Sequence, residues 1–283
     1  MKYWISFLLI LLSFWTTAQK QPDPEFLNHL MNREYHQEVV HLIDRVDMHE
    51  LSASFEDSLF YMRGWSLYSM KNLIRSAEDL NQVGIQSPFY HKSRFFAAYN
   101  YVHLEDYSRA MTILDKLKTN DPRLTTLKHF EKSGIALLRR DFEKFDREFA
   151  QVDTSYYPVA KESVKINQYA TDLKNHRKKS PLLAGLMSGV IPGSGKIYAG
   201  KPGEGISSLL TVGGLGFVTW ENYRKNGIKD FKTLLFGAAF TTFYIGNIYG
   251  TVFSVKIAEN EFQKAHDHNI LFNLHIPLRN TFN

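Results

Sequence analysis

The stretch Ala98-Tyr99-Asn100-Tyr101-Val102-His103-Leu104-Glu105-Asp106-Tyr107-Ser108-Arg109-Ala110-Met111-Thr112-Ile113-Leu114, closed by Asp121-Pro122, decides the reading of the front half of this chain. Ala98, Tyr101, Leu104, Ala110 and Leu114 recur at helical spacings on either side of a break at Asp106-Tyr107. Small side chains at Ala98 and Ala110 let two helices approach closely, and Tyr101 and Tyr107 fill the space beside them. Pro122 cannot continue the second helix and starts the next element. Further out, the same marks return. Pro88 lies 34 residues before Pro122, and Pro158 lies 36 after it. Asp141-Phe142 follows Asp106-Tyr107 by 35 residues, with Ser133 and Phe145 where the alanines stood. Gly64 and Pro88 repeat the 24-residue interval between Ala98 and Pro122, with Ala77 in the region of close contact. Glu34-Tyr35 followed by Val39 reads as the second half of an earlier, partial copy. The bulk of Phe145 is expected to open the helix pair that contains it.

A small residue, an aromatic three positions on, a turn, an aromatic, a small residue and a closing proline form the pattern of tetratricopeptide repeats, and residues 25–175 resemble that family. The resemblance implies about four helical hairpins, with Tyr156–Asn175 as a capping helix. Such a stack offers an elongated concave surface of the kind that holds a protein or peptide partner. The plainer alternative is a spacer. Trp65, Tyr68, Phe95, Phe96 and Tyr99 are expected in the core, since helical spacing accounts for them.

The chain has 283 residues and no cysteine, which removes disulfides, thiol nucleophiles and cysteine–zinc sites. A net charge of +5 is too small to imply a nucleic-acid partner. Met1-Lys2, an apolar run from Tyr3 to Trp15 and the small residues Thr16, Thr17 and Ala18 fit a secretory signal peptide over residues 1–18, cleaved before Gln19. The mature chain is then expected outside the cytoplasm, in the periplasm of a bacterium with two membranes.

The glycines divide the chain. Of 17, 14 fall between Gly185 and Gly250. In this region Gly205–Trp220 carries no charge over 16 positions and Thr233–Val255 none over 23. These windows predict two transmembrane helices, at about 205–223 and 233–256, inside a membrane domain over 180–258. Thr242, Gly246, Gly250 and Ser254 recur every four residues and are read as a helix–helix contact stripe, with Gly213, Gly214 and Gly216 giving the first helix a smooth face. The stripe also suits a homodimer or another membrane protein. Lys174, Arg177, Lys178 and Lys179 precede the domain and are expected to attract anionic lipid headgroups.

Ahead of the first helix stands Pro192-Gly193-x-Gly195-x-x-Tyr198-x-Gly200. It resembles the P-G-x-G-x-x-Y-x-G signature of short bacterial domains with two membrane helices, a family largely uncharacterised. That resemblance implies topology rather than activity: Pro192, Gly193, Gly195, Tyr198 and Gly200 are expected to build a tight turn at the membrane surface. The tyrosine ring would lie at headgroup level with its hydroxyl in water. Leu182–Ile191 is too short to span and reads as an interfacial or re-entrant piece.

Two features invite chemistry and fail on spacing. Gly189 and Gly195-Lys196 have five residues between the glycines where a phosphate loop needs four, and Ile197 stands where Ser or Thr must bind magnesium. His266 and His268 are two apart, which separates them on a helix. Ile270, Phe272, Leu274 and Ile276 alternate well enough for a short strand in an otherwise polar tail over 259–283. The sequence therefore predicts an all-α chain: a tetratricopeptide-like solenoid of helical hairpins, then a C-terminal transmembrane helical hairpin. The expected role is a non-enzymatic scaffold in the bacterial inner membrane, with its repeats in the periplasm. It would need no cofactor and would hold an envelope protein or peptide on the repeat surface. The rival role is a subunit of an envelope assembly or transport complex whose hairpin is the working contact.

Overall fold

The computed structural model describes residues 23–48 and 51–282. The expected signal peptide lies outside the described residues. Among those residues every regular element is a helix and no strand forms. Eight helices pair as hairpins: α1 (Pro24–Asn32) with α2 (His36–Ile43), α3 (Ala53–Ser69) with α4 (Leu73–Gln82), α5 (Tyr90–His103) with α6 (Tyr107–Lys116), and α7 (Pro122–Leu138) with α8 (Phe142–Phe149). Each hairpin also packs on the next, through α2 on α3, α4 on α5 and α6 on α7. After them come α9 (Tyr157–Asn175), α10 (Pro181–Val190), the short α11 (Ser194–Tyr198), α12 (Pro202–Asn226) and α13 (Phe231–Phe282).

The four hairpin turns are copies of one device. Glu34, Lys71, Glu105 and Arg140 all adopt left-handed backbone, with φ of 61°, 64°, 59° and 59°. The amide that follows each of them bonds back to a carbonyl five residues earlier: Tyr35 to Leu30, Asn72 to Leu67, Asp106 to Tyr101 and Asp141 to Ala136, each at 2.9 Å. This is the helix-ending motif in which a left-handed residue lets two orphan carbonyls of the last turn find donors. Asp106 and Asp141 then cap the helix that follows, accepting from the Arg109 and Lys144 amides at 3.0 Å. The Asp-aromatic pairs 35 residues apart are therefore turn exits. Pro122 occupies the first turn of α7, behind the capping Asp121, as a helix-starting proline should.

The small residues sit where helices meet. Ala98 is 2% exposed and Ala110 fully buried. A Cβ on Gly64 would stand 2.8 Å from Leu80 Cγ, so α3 and α4 touch backbone to side chain there. Tyr101 is buried, and Tyr107 is half-buried. Phe145, expected to force its hairpin open, is instead accommodated at 1% exposure and stacks on Phe149 with ring centroids 5.2 Å apart. An ion pair repeats as well: Arg63–Asp79 at 2.7 Å in the second hairpin returns as Lys132–Glu148 at 2.7 Å in the fourth, 69 residues on. The third hairpin replaces the pair with the apolar Ala97 and Ile113.

The chain forms two compact units. The first takes the described residues up to Asn167 and returns for the segment from Leu271; the second runs from Gln168 to Ile270. The last segment thus belongs to the hairpin body rather than to a free tail. It is also no strand, since α13 continues through it to Phe282. Ile270, Leu274 and Leu278 are each 0% exposed, a four-residue spacing that places them on one helical face. The same apolar residues satisfy both periods over so short a run, and packing chooses the helix.

In the second unit α12 and α13 lie where two spanning helices were expected, and both are long. Among the described residues, however, no helix is long and apolar enough to cross a membrane. The shortfall is in apolarity. Ser207, Ser208 and Thr211 interrupt α12, and Thr241, Thr242, Asn247 and Thr251 interrupt α13. The expectation of two spanning helices at 205–223 and 233–256 is therefore not supported.

Candidate functional site

In the first unit, the faces of α3, α5, α7 and α9 converge on the end of α13. These are the first helices of successive hairpins and the helix that follows them. Leu274 fills the space left by Gly134: a Cβ there would stand 2.8 Å from Leu274 Cδ1. His275 stacks on Tyr99, with ring centroids 4.8 Å apart, and its Nε2 lies 2.7 Å from the Tyr68 hydroxyl. Phe282 packs on Phe95 at 5.6 Å. Lys165 Nζ donates to Asn273 Oδ1 at 3.1 Å. These helix faces are thus covered by the segment from Leu271 onward.

Three ionisable groups mark this cluster. Glu131 is 2% exposed and its Oε1 has no partner, so burial raises its carboxyl well above the usual range and favours the protonated form. Burial, joined by the positive charge of Arg279, lowers His275 to about 4. Burial also pushes the Tyr68 hydroxyl up to about 12. The shifts of Glu131 and His275 load stability oppositely. A carboxyl raised in the fold contributes stability below its unfolded pKa of about 4.5 and loses it as pH rises. A histidine lowered in the fold contributes stability above about 6.5 and loses it as pH falls towards 4. Glu131→Gln is accordingly expected to raise the melting temperature, with the gain larger at pH 8 than at pH 5. Equal gains at both values in thermal melts would show that Glu131 folds in its ionised form.

In the second unit the glycine signature forms an interlocked turn. Gly193 and Gly200 take left-handed backbone, with φ of 83° and 93°. A Cβ on Gly193 would overlap the Gly205 carbonyl, and one on Gly195 would overlap the Ala184 carbonyl and reach Thr251 Cγ2 at 2.5 Å. Pro192 stands half-buried ahead of this pair. The Tyr198 hydroxyl, expected in water, accepts from the Ser180 amide at 3.2 Å, and Lys179 Nζ lies 5.7 Å from its ring. Beneath the turn is a polar core that spacing did not disclose. Ser188 and Thr251 are both fully buried and share a hydroxyl–hydroxyl bond of 2.9 Å; the Gly195 amide donates to Ser188 at 3.1 Å. The apolar cluster beside them, Ala184, Ala199 and Val255, is small.

The contact stripe divides. Ser254 is 7% exposed, but Thr242 and Gly246 are exposed, and a Cβ on Gly246 or Gly250 would meet nothing within 4 Å. Gly213 and Gly214 are equally open. The face of α13 that packs is one step round, where Ile248, Thr251 and Val252 approach Gly189, Gly195 and Gly185. The spacing Tyr244, Asn247, Thr251, Ser254 carried this signal. α12 meets α13 instead through Gly216 on Phe240 and Thr219 on Gly237.

The second unit is turned inside out with respect to water. Many of its apolar side chains face outward: Val190 is 82% exposed, Leu182 and Phe231 74%, Leu210 70% and Phe217 69%. Lys174, Arg177, Lys178 and Lys179 are all exposed at its start. Among the described residues no three His, Asp or Glu side chains are grouped to hold a metal ion. Lys196, the residue of the rejected phosphate loop, donates to Ser208 Oγ at 3.0 Å. Comparison with protein-family models, with curated proteins and with solved structures finds no match.

Proposed function

We propose that this chain is a non-enzymatic, membrane-associated scaffold of the bacterial envelope, exported by its N-terminal leader, with a tetratricopeptide-like body held at the inner membrane by the second unit. The observation that carries the reading is the inverted polarity of that unit. Exposed Leu, Val and Phe side chains surround a small interior that includes Ser188, Asn247 and Thr251. In water each such side chain forgoes about 1.5–3 kcal/mol of burial. Lipid removes that cost, and an apolar surface of this extent otherwise marks an interaction site. Of the polar residues that interrupt the two helices, Asn247 and Thr251 are turned inward. Lys174 to Lys179 would meet anionic headgroups, at about 1 kcal/mol per charge.

Membership of the first unit supports the topology. Its two pieces, before Gln168 and after Ile270, fold together and so lie on one side of any bilayer. The segment between them then crosses an even number of times, which favours a hairpin over an odd number of spans. With α3, α5, α7 and α9 covered by residues from Leu271 onward, a soluble partner would bind other surfaces of the hairpins or displace that segment. The second reading, in which the hairpin itself grips another membrane protein, draws on the open stripe at Gly246 and Gly250.

Fractionation tests the proposal. The full chain is expected in the membrane pellet, to stay there after high-salt and alkaline washes, and to be released by detergent. A protein that is monodisperse without detergent would refute it.

A further inference from the structure

Two cavities lie end to end between α12 and α13. One, of about 430 Å³, is lined by Lys196, Ser207, Ser208, Thr211 and Asn247 among others. The other, of about 770 Å³, is lined by Gly216, Trp220, Leu234, Ala238 and Phe240 among others. Thr242 lines both, so they adjoin along α13 as two parts of one groove-like surface. From Asn247 to Leu234 the helix advances about 20 Å at 1.5 Å per residue. Both volumes lie in the range of small-molecule sites.

The ends of the groove differ in chemistry. At one end, an ammonium group and three hydroxyls converge. Lys196 bonds Ser208, and among the described residues it forms no ion pair. Asn247, only 6% exposed, lines the same cavity, and its Oδ1 has no hydrogen-bond partner. Buried polar atoms without partners are uncommon, and this one waits for a donor beside a cation that waits for an anion. The other end offers aromatic and aliphatic walls. It holds one further orphan, Thr233 Oγ1, in a residue 6% exposed. Charge at one end and hydrocarbon at the other describe an amphiphile.

We propose that this groove binds an anionic phospholipid whose headgroup carries a hydroxyl, as phosphatidylglycerol does. The phosphate meets Lys196 and the hydroxyls of Ser207, Ser208 and Thr211; the headgroup hydroxyl donates to Asn247 Oδ1. One acyl chain runs past Thr242 over Phe240 towards Trp220. The inference rests on the reading that the second unit meets lipid, but it assigns a specific site rather than general solvation. The open backbone at Gly246 flanks the polar end and leaves room for the glycerol portion.

Native mass spectrometry of the full chain released from nanodiscs tests this. Nanodiscs of phosphatidylglycerol mixed with phosphatidylcholine supply the choice, and the expected result is one retained phosphatidylglycerol per chain. Lys196→Gln is expected to weaken retention about tenfold, the scale of one charge-assisted bond. Ala238→Trp, which blocks the apolar end, is expected to do the same by a different route. Lys256→Gln, an exposed cation outside the groove, is expected to change nothing. Soluble glycerol phosphate is expected not to compete, which separates a lipid site from a phosphate site. Circular dichroism melts establish that each variant folds. Retention unchanged in both groove variants, competition by glycerol phosphate, or a protein rather than a lipid bound in the groove would each overturn the proposal. Membrane fractionation of the same samples separates the two readings. If the wild type leaves the membrane, the wider proposal fails; if it remains but the groove variants retain lipid, only this one fails.

Discussion

A Gly195→Ala protein is expected to lose the interlocked turn of the second unit. The added methyl would overlap the Ala184 carbonyl oxygen and stand 2.5 Å from Thr251 Cγ2. A backbone carbonyl inside α10 cannot swing aside as the tip of a flexible side chain can. The short α11 would have to withdraw, which breaks the 3.1 Å bond from the Gly195 amide to Ser188 and leaves that amide without its acceptor. Overpacking costs about 1–3 kcal/mol, and each unsatisfied buried polar group adds about 1–3 kcal/mol. A loss of about 2–6 kcal/mol follows, enough to unfold a marginal domain. The contrast lies fifteen to twenty residues on. Gly213 and Gly214 have open space around them, so alanine there is expected to be neutral or to stabilise by up to about 1 kcal/mol through helix propensity. Thermal melts in detergent should rank the three variants in that order. Equal tolerance at Gly195 and Gly213 would mean that α11 does not pack on α10 as described.

Leu274→Ala is the second large effect. Its side chain is fully buried and occupies the volume that Gly134 vacates. Removing it is expected to cost about 2–5 kcal/mol, or roughly 5–15 °C in melting temperature for a unit of this size. Gly134→Ala alone should also destabilise, because its Cβ would overlap the same isopropyl group. Combined, the two changes should be less harmful than their sum, since each relieves the other; contacting residues couple by about 0.5–3 kcal/mol. Strict additivity in the double-mutant cycle would show that the end of α13 is not seated on α7.

The third and fourth helical hairpins and the interval between them were legible because their turns are exited by capping aspartates, Asp106 and Asp141, 35 residues apart. The turn residues themselves were not. A left-handed position is usually signalled by glycine, and here it is filled by Glu34, Lys71, Glu105 and Arg140, which look like ordinary surface charges. The repeating ion pair stayed hidden for a similar reason: its middle copy is Ala97 and Ile113, so no interval of a single repeat displays it. In the second unit a turn that needs glycine was legible: Gly193 and Gly195 meet backbone carbonyls where a Cβ would stand, and Gly193 and Gly200 take left-handed backbone. The partners were not, since Ala184, Ser188 and Gly205 are chosen by three-dimensional proximity. The stripe at Thr242, Gly246 and Gly250 misled because small side chains permit contact without requiring it. The strand expected at Ile270–Ile276 failed because seven residues cannot separate a period of two from one of 3.6.

The membership of the last dozen residues in the first unit also sets a timetable. The hairpins leave the ribosome first, yet Phe95 waits for Phe282 and Gly134 for Leu274. Between Asn167 and Leu271, 103 residues must still be translated, about 5–20 s at bacterial speeds of about 5–20 residues per second. Throughout that interval the nascent body carries an uncovered apolar seam and remains open to chaperones and proteases. A product cut short before residue 271 never closes the seam.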